Sequence, residues 1–123
     1  MVMRNVMVCG GRTFDDEDTL FSVLDGLANV FPVDPFDMTI IQGAARGADS
    51  MAREYAHCRG LDTREFPAEW EKYGKSAGYR RNADMVNRAD VVVAFWDGES
   101  KGTKHSIDLA LSQGKHLLVV NYG

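Results

Sequence analysis

Five short runs of apolar and β-prone residues punctuate the chain, at 6–9 (VMVC), 38–41 (MTII), 63–66 (TREF), 91–96 (VVVAFW) and 116–120 (HLLVV). They are strand-length, rich in Val and Ile, and mostly lack polar alternation. That is the pattern of strands covered on both faces of a parallel sheet, with 63–66 the weakest example. Between them the period changes to three and four. Leu20, Leu24, Leu27, Ala28 and Phe31 follow an acidic start at Asp15, Asp16 and Glu17, which suits the positive end of a helix dipole. Residues 48–60 read as a second helix closed by Gly60. Residues 78–89 read as a third, with Tyr79, Ala83 and Val86 on one stripe, and 102–114 as a fourth ended by Gly114.

The order β-α-β-α-β-loop-α-β-α-β predicts one domain over residues 1–123. Its fold is an α/β, Rossmann-like three-layer sandwich, about five parallel strands with helices on both faces, since each right-handed crossover packs its helix back onto the sheet. The one long irregular piece is 67–77 (PAEWEKYGKSA), and loops of that length in small domains tend to carry function.

Composition adds exclusions. With 45% hydrophobic and 26% charged residues, the chain has the balance of an ordinary globular protein. A net charge of −4 argues against a nucleic-acid partner, because phosphate binding draws on a basic surface. Two cysteines without C-x-x-C spacing point neither to a disulfide framework nor to a metal site. The apolar run near the start is too short for a signal-peptide core, and no stretch is long enough to span a membrane, so a cytoplasmic location without membrane contact is expected.

Candidate chemistry lies where strands end. In a parallel sheet the turns after strands one, two and four open on one rim, where helix N-termini collect and anions are favoured. Those turns are glycine-rich: Gly10, Gly11, Arg12 and Thr13; then Gly43, Arg46, Gly47 and Asp49; then Trp96, Asp97, Gly98, Gly102 and Thr103. Glycine lets a phosphate approach the backbone, and arginine is its bidentate partner. The spacing is neither G-x-G-x-x-G nor a Walker A motif. Asp15, Asp49 and Asp97 are read either as helix caps or as partners of ribose hydroxyls. Trp70, in the long loop with Tyr73 and Tyr79 nearby, is placed to stack a base. Cys9, at the end of strand one, reads as a small buried hydrophobe.

Taken together, "CGGRTFDD", "QGAARGAD", "W-x-x-x-G-x-x-A-G-Y-R-R-N-x-x-M" and "FWDGESKGTKHSIDLA" resemble the SLOG superfamily, in particular its YspA or YpsA-related members, through nearly the whole chain. The resemblance implies a pocket for a nucleotide or an ADP-ribose-like molecule, used to sense, carry or sequester it, and a possible homodimer. It also brings in the LOG phosphoribohydrolases and the DNA-processing protein A family. "RRNADM" matches a LOG element and makes Arg81 the counterpart of a functional arginine, with Asn82 beside it. Gly102 and Thr103 match a second element, but Ser106 stands where the LOG enzymes carry a catalytic glutamate. Ligand binding is therefore the leading expectation. Hydrolysis of the ligand's N-glycosidic or phosphate bond, with Arg81 and Glu99 as the catalytic pair and Asp97 or His105 as substitutes, is the alternative, and single-stranded DNA binding comes third. No metal and no cofactor are expected.

Overall fold

Alternation along the strands decides which helix sits where. In β1 (Asn5–Gly10), Val6 and Val8 belong to the core on one face of the sheet, Met7 and Cys9 to the core on the other. The structure is a computed structural model and describes residues 2–123. Four more strands complete a parallel sheet with β1: β2 (Thr39–Gln42), β3 (Asp62–Glu65), β4 (Val91–Trp96) and β5 (His116–Asn121), in the order β3-β2-β1-β4-β5. Val6 is in register with Ile40 on one side and Val91 on the other.

The first face is covered by α1 (Glu17–Asp25) and α2 (Ala48–Arg59), which pack Leu20, Leu24, Ala52, Tyr55 and Ala56 onto Val8, Ile40 and Val93. The second is covered by α4 (Ala77–Arg88) and α5 (Lys101–Ser112), through Met85, Val86, Ile107 and Ala110. A Rossmann-like α/β fold is thus observed, and the crossovers change face between the β1–β2 half and the β4–β5 half.

Several elements differ from the sequence reading. Helix α1 begins at the Asp16 cap, whose carboxylate accepts from Thr19 N at 3.1 Å, and stops at Gly26. Leu27 falls in a 3-10 turn (Leu27–Asn29) and Phe31 beyond it, yet Leu27 stays buried, so the burial rhythm outlasts the helix. Strand β3 is exposed along its whole length instead of covered on both faces. It is the outer edge, and Asp62, Arg64 and Glu65 keep that edge polar, a usual protection against pairing with other chains.

The 67–77 loop contains α3 (Trp70–Tyr73) and a 3-10 turn (Gly74–Ser76). In α4 the buried stripe is Ala77, Asn82, Met85 and Val86, while Tyr79 is 45% exposed. The stripe is rotated from the predicted one because Asn82, a polar residue, turns inward and donates to the Gly102 carbonyl of α5 at 3.3 Å. Among the described residues no helix is long and apolar enough to cross a membrane.

Candidate functional site

The strand order places a switch point between β1 and β4, where neighbouring crossovers leave toward opposite faces. Ligand sites of open α/β sheets form at the carboxyl edge there. A cavity of about 530 Å³ occupies this position, within the size range of small-molecule sites.

Its walls come from all three glycine-bearing turns. Gly10, Gly11, Arg12 and Thr13 follow β1, Ala45 and Asp49 come from the turn into α2, and Asp97, Ser100, Gly102 and Thr103 lie between β4 and α5. Helix α4 supplies Gly78, Tyr79, Arg81, Asn82 and Met85, with Cys9 and Ser106 also in the lining and Trp70 and Lys75 contributed by the 67–77 segment. Trp70 is 53% exposed.

Arg81 is held by carbonyls. Its Nη1 donates to Gly43 O and, at 3.4 Å, to Phe66 O, and its Nε donates to Asn82 Oδ1 at 2.9 Å. Nη2 makes no hydrogen bond among the described residues, so part of the guanidinium is free at the cavity. Burial pulls the Arg81 pKa down, opposed by the Asp49 charge. An arginine so placed is still a cation.

Asp49 is only 6% exposed and does not cap α2. That cap is Gly47, with φ +77 and no side-chain bond, and its Cα lies so close to the backbone of Gly11 and Arg12 that a side chain would overlap them. The Asp49 carboxylate instead accepts from Gly43 N at 3.2 Å and Ala45 N at 3.3 Å, shaping the loop before the helix. Burial pushes its pKa up, against the amides and the charges of Arg81 and Arg12. Asp97 is also a turn builder: it accepts from Glu99 N at 2.9 Å and Ser100 N at 2.8 Å, and these bonds hold its carboxyl below the ordinary range. Helix α5 has no side-chain cap at Ser100, so its first-turn amides lack a side-chain partner, and Gly102 and Thr103 of that turn line the cavity.

Other predicted residues fall outside the lining. Gly43 and Gly47 act behind the wall, as supports for Arg81 and for the β1 turn. Arg46 is exposed and borders a separate small hollow. Trp96 donates from Nε1 to Ser100 O at 3.1 Å and packs against the α4–α5 core, so it braces the turn. Gly98 and Glu99 are exposed at the tip of that turn.

Lys75 falls on an unspecified position of the quoted motifs, and Ala45, Gly78, Met85 and Ser100 stand inside them without having been singled out as site residues. They arrive by helix phase and loop path, which glycine spacing does not encode. Ser106 was noted only for the glutamate it replaces, and Cys9 only as core. The Cys9 thiol is pushed up to about 12, chiefly by burial, which disfavours the thiolate a nucleophile needs. Among the described residues no three His, Cys, Asp or Glu side chains cluster as a metal site would require.

A five-stranded parallel sheet of this order with a cavity at its switch point defines a Rossmann-like α/β protein. Residues 4–73 match the YspA, cpYpsA-related SLOG family. The chain is also 36% identical over 129 residues to the Gene 61 protein of Mycobacterium phage D29, covering 98% of each. It belongs to the YspA, cpYpsA-related SLOG family.

Among solved structures the fold is similar to that of DNA processing protein A from Streptococcus pneumoniae, with a TM-score of 0.76 at 16% identity, over 98% of this chain and 51% of the other. It is also similar to DNA processing protein A from Helicobacter pylori, described with a single-stranded DNA binding mode. There the TM-score is 0.71 at 20% identity, over 99% of this chain and 67% of the other. The chain thus spans about half and two thirds of the length of these two proteins.

Proposed function

We propose that residues 1–123 act as one SLOG-like domain that binds a nucleotide or ADP-ribose-like molecule in the switch-point cavity. The observation that carries this reading is the pairing of a partly free Arg81 guanidinium with the uncapped start of α5 in one cavity. Both are donors suited to phosphate oxygens, and the helix end adds a favourable dipole. Trp70 at the rim offers a face for a base. Lys75 and Arg12 add positive charge despite the acidic total.

Binding is favoured over turnover by the state of the carboxylates. Asp97 and Asp49 are each held in place through one oxygen that takes two backbone amides, as turn builders, and Glu99 lies at the exposed tip. N-glycosidic hydrolysis needs a carboxylate free to meet water or a developing cation.

A second reading has its own support. Trp70 and Tyr79 are exposed in the cavity lining, and Tyr73, with Arg80 over its ring at 4.4 Å and Lys72 at 5.1 Å, is exposed beside a neighbouring hollow that shares Arg81. Aromatic faces interleaved with cations suit a single strand, the ligand named for the Helicobacter pylori neighbour. This weakens the expectation, drawn from net charge, that nucleic acid is no partner, because the total charge says little about one rim.

A thermal-shift panel of AMP, NAD, ADP-ribose, cyclic ADP-ribose and a short deoxyoligonucleotide, with chromatography of the recovered ligand, decides among these. Ligand at a hundred times its Kd adds about 2.7 kcal/mol of stability. Stabilisation by a mononucleotide or ADP-ribose compound recovered intact is the expected result. Stabilisation by the oligonucleotide alone overturns the small-molecule reading in favour of the second, and release of base or phosphate replaces it with hydrolysis.

A further inference from the structure

Gln42 ends β2 on the same sheet face as Ile40, beneath α2. It is completely buried, at 0% exposure. Its Oε1 accepts from Ala44 N at 2.7 Å, which fixes the orientation of the amide. Nε2 is then a buried donor with no partner among the described residues. Native folds seldom keep such a group unanswered, because it lost its water on burial and gained nothing in return.

Gln42 lines a hollow of about 160 Å³ together with Ala45, Arg46, Ser50, Arg53 and Glu65. The hollow lies across Ala45 from the main cavity, and that residue lines both. None of its acceptors takes the Gln42 amide: Glu65 pairs with Arg53 through Oε1 at 3.4 Å, and the Ser50 hydroxyl donates to Gly47 O at 3.0 Å. Arg46 is exposed and forms no ion pair among the described residues. The hollow therefore has an unanswered amide donor and two guanidinium groups set against one carboxylate, a net positive charge at one small place.

We propose that this hollow is an oxyanion subsite that takes a phosphoryl group. One phosphoryl oxygen accepts from Gln42 Nε2, and the group's charge is met by Arg46, with Arg53 as a second cation. The subsite goes beyond the reading of the main cavity and stands without it. The occupant is either a free phosphate or a further phosphate of a ligand that crosses the Ala45 ridge. The recognising chemistry is the same for both.

The test uses the full chain labelled with ¹⁵N and titrated with inorganic phosphate, ionic strength being held constant with chloride. The Gln42 side-chain amide signals, assigned by their loss in Gln42→Met, are expected to move along a saturating curve. Arg46→Ala, a surface change that leaves the fold alone, should weaken that curve about tenfold, the scale of one lost charge-assisted contact. Repeating the titration over a saturating 5′-phosphorylated deoxyadenosine dinucleotide separates the sources: displacement of phosphate from Gln42 assigns the subsite to the longer ligand, and undiminished binding assigns it to a free ion.

Failure of the main-cavity reading would register at the Gly102 and Thr103 amides and leave the Gln42 response intact. The proposal is overturned if the Gln42 signals stay still, drift linearly with phosphate, or respond identically in Arg46→Ala.

Discussion

Asp49 and Arg81, carried by helices on opposite faces of the sheet, meet across the backbone of Gly43. The carboxylate takes the Gly43 N–H and the guanidinium takes the Gly43 carbonyl. A Cβ at that position would sit 2.5 Å from Arg81 Nη1 and 2.9 Å from Asp49 Oδ2. Replacement by alanine must displace one charged group or the other. Gly43→Ala is expected to cost about 1–3 kcal/mol, as overpacking of a filled site does, read from urea denaturation midpoints. It should also weaken ligand binding, because Arg81 loses its anchor.

Gly102 behaves in the opposite way. It lies inside α5, and nothing stands within 4 Å of a Cβ built there. Gly102→Ala should stabilise the fold by about 0.5–1 kcal/mol through helix propensity. If phosphate oxygens approach the α5 amides, the same methyl group obstructs them. Higher Tm combined with a larger Kd is the expected outcome, and unchanged affinity would remove α5 from the binding surface.

Trp70 is half exposed and belongs to neither core cluster. Trp70→Ala should leave the denaturation midpoint nearly unchanged while costing about 1–3 kcal/mol of binding, the scale of one base stacked on an aromatic ring. Fluorescence titration of the wild type, with Trp96 as the internal reference, and calorimetry of the variant measure the two effects separately.

The buried carboxyl of Asp49 gives a pH dependence of known sign. Its unfolded value is near 3.8 and its folded value is higher, raised chiefly by burial. Between the two the native state keeps a proton that the unfolded chain has lost, so Asp49 makes stability fall as pH rises through that window. Asp16, Asp25 and Asp97, held low by hydrogen bonds from Thr19, from Arg59 and Tyr55, and from Ser100 and Glu99, act oppositely: their stabilisation is present above 3.8 and is lost as pH falls through their lowered values. Asp49→Asn should therefore steepen the net gain in stability between acid and neutral pH, as followed by urea midpoints across that range.

Ala44 adopts φ +61, a region where a side chain crowds its own backbone. Ala44→Gly is expected to raise stability by up to about 1 kcal/mol, offset in part by the greater freedom of glycine in the unfolded chain.

The strand runs and the helix periods were legible because they repeat a local rule many times over. Val91–Trp96 and the Leu20–Leu24 spacing each encode burial residue by residue. The rim was legible for the same reason, since parallel strands share one end. Less legible was anything decided by a distant partner. Asp49 looked like a cap because it stands at a helix start, but its Oδ2 turns back to Gly43 and Ala45. Tyr79 looked like core from its period, but the inward turn of Asn82 toward Gly102 rotates the helix. Gln42 could not be flagged at all: an amide at a strand end reads as polar surface until α2 closes over it.

Arg81 also donates toward the Phe66 carbonyl, just beyond β3, as well as to Gly43 after β2. A single side chain from the opposite layer thus ties two successive crossovers at their exits. In a sheet whose outer strand is exposed, that tie joins the periphery to the centre, so the periphery should not fray on its own. Amide deuteration near Phe66 and Gly43 is then governed by one shared opening event.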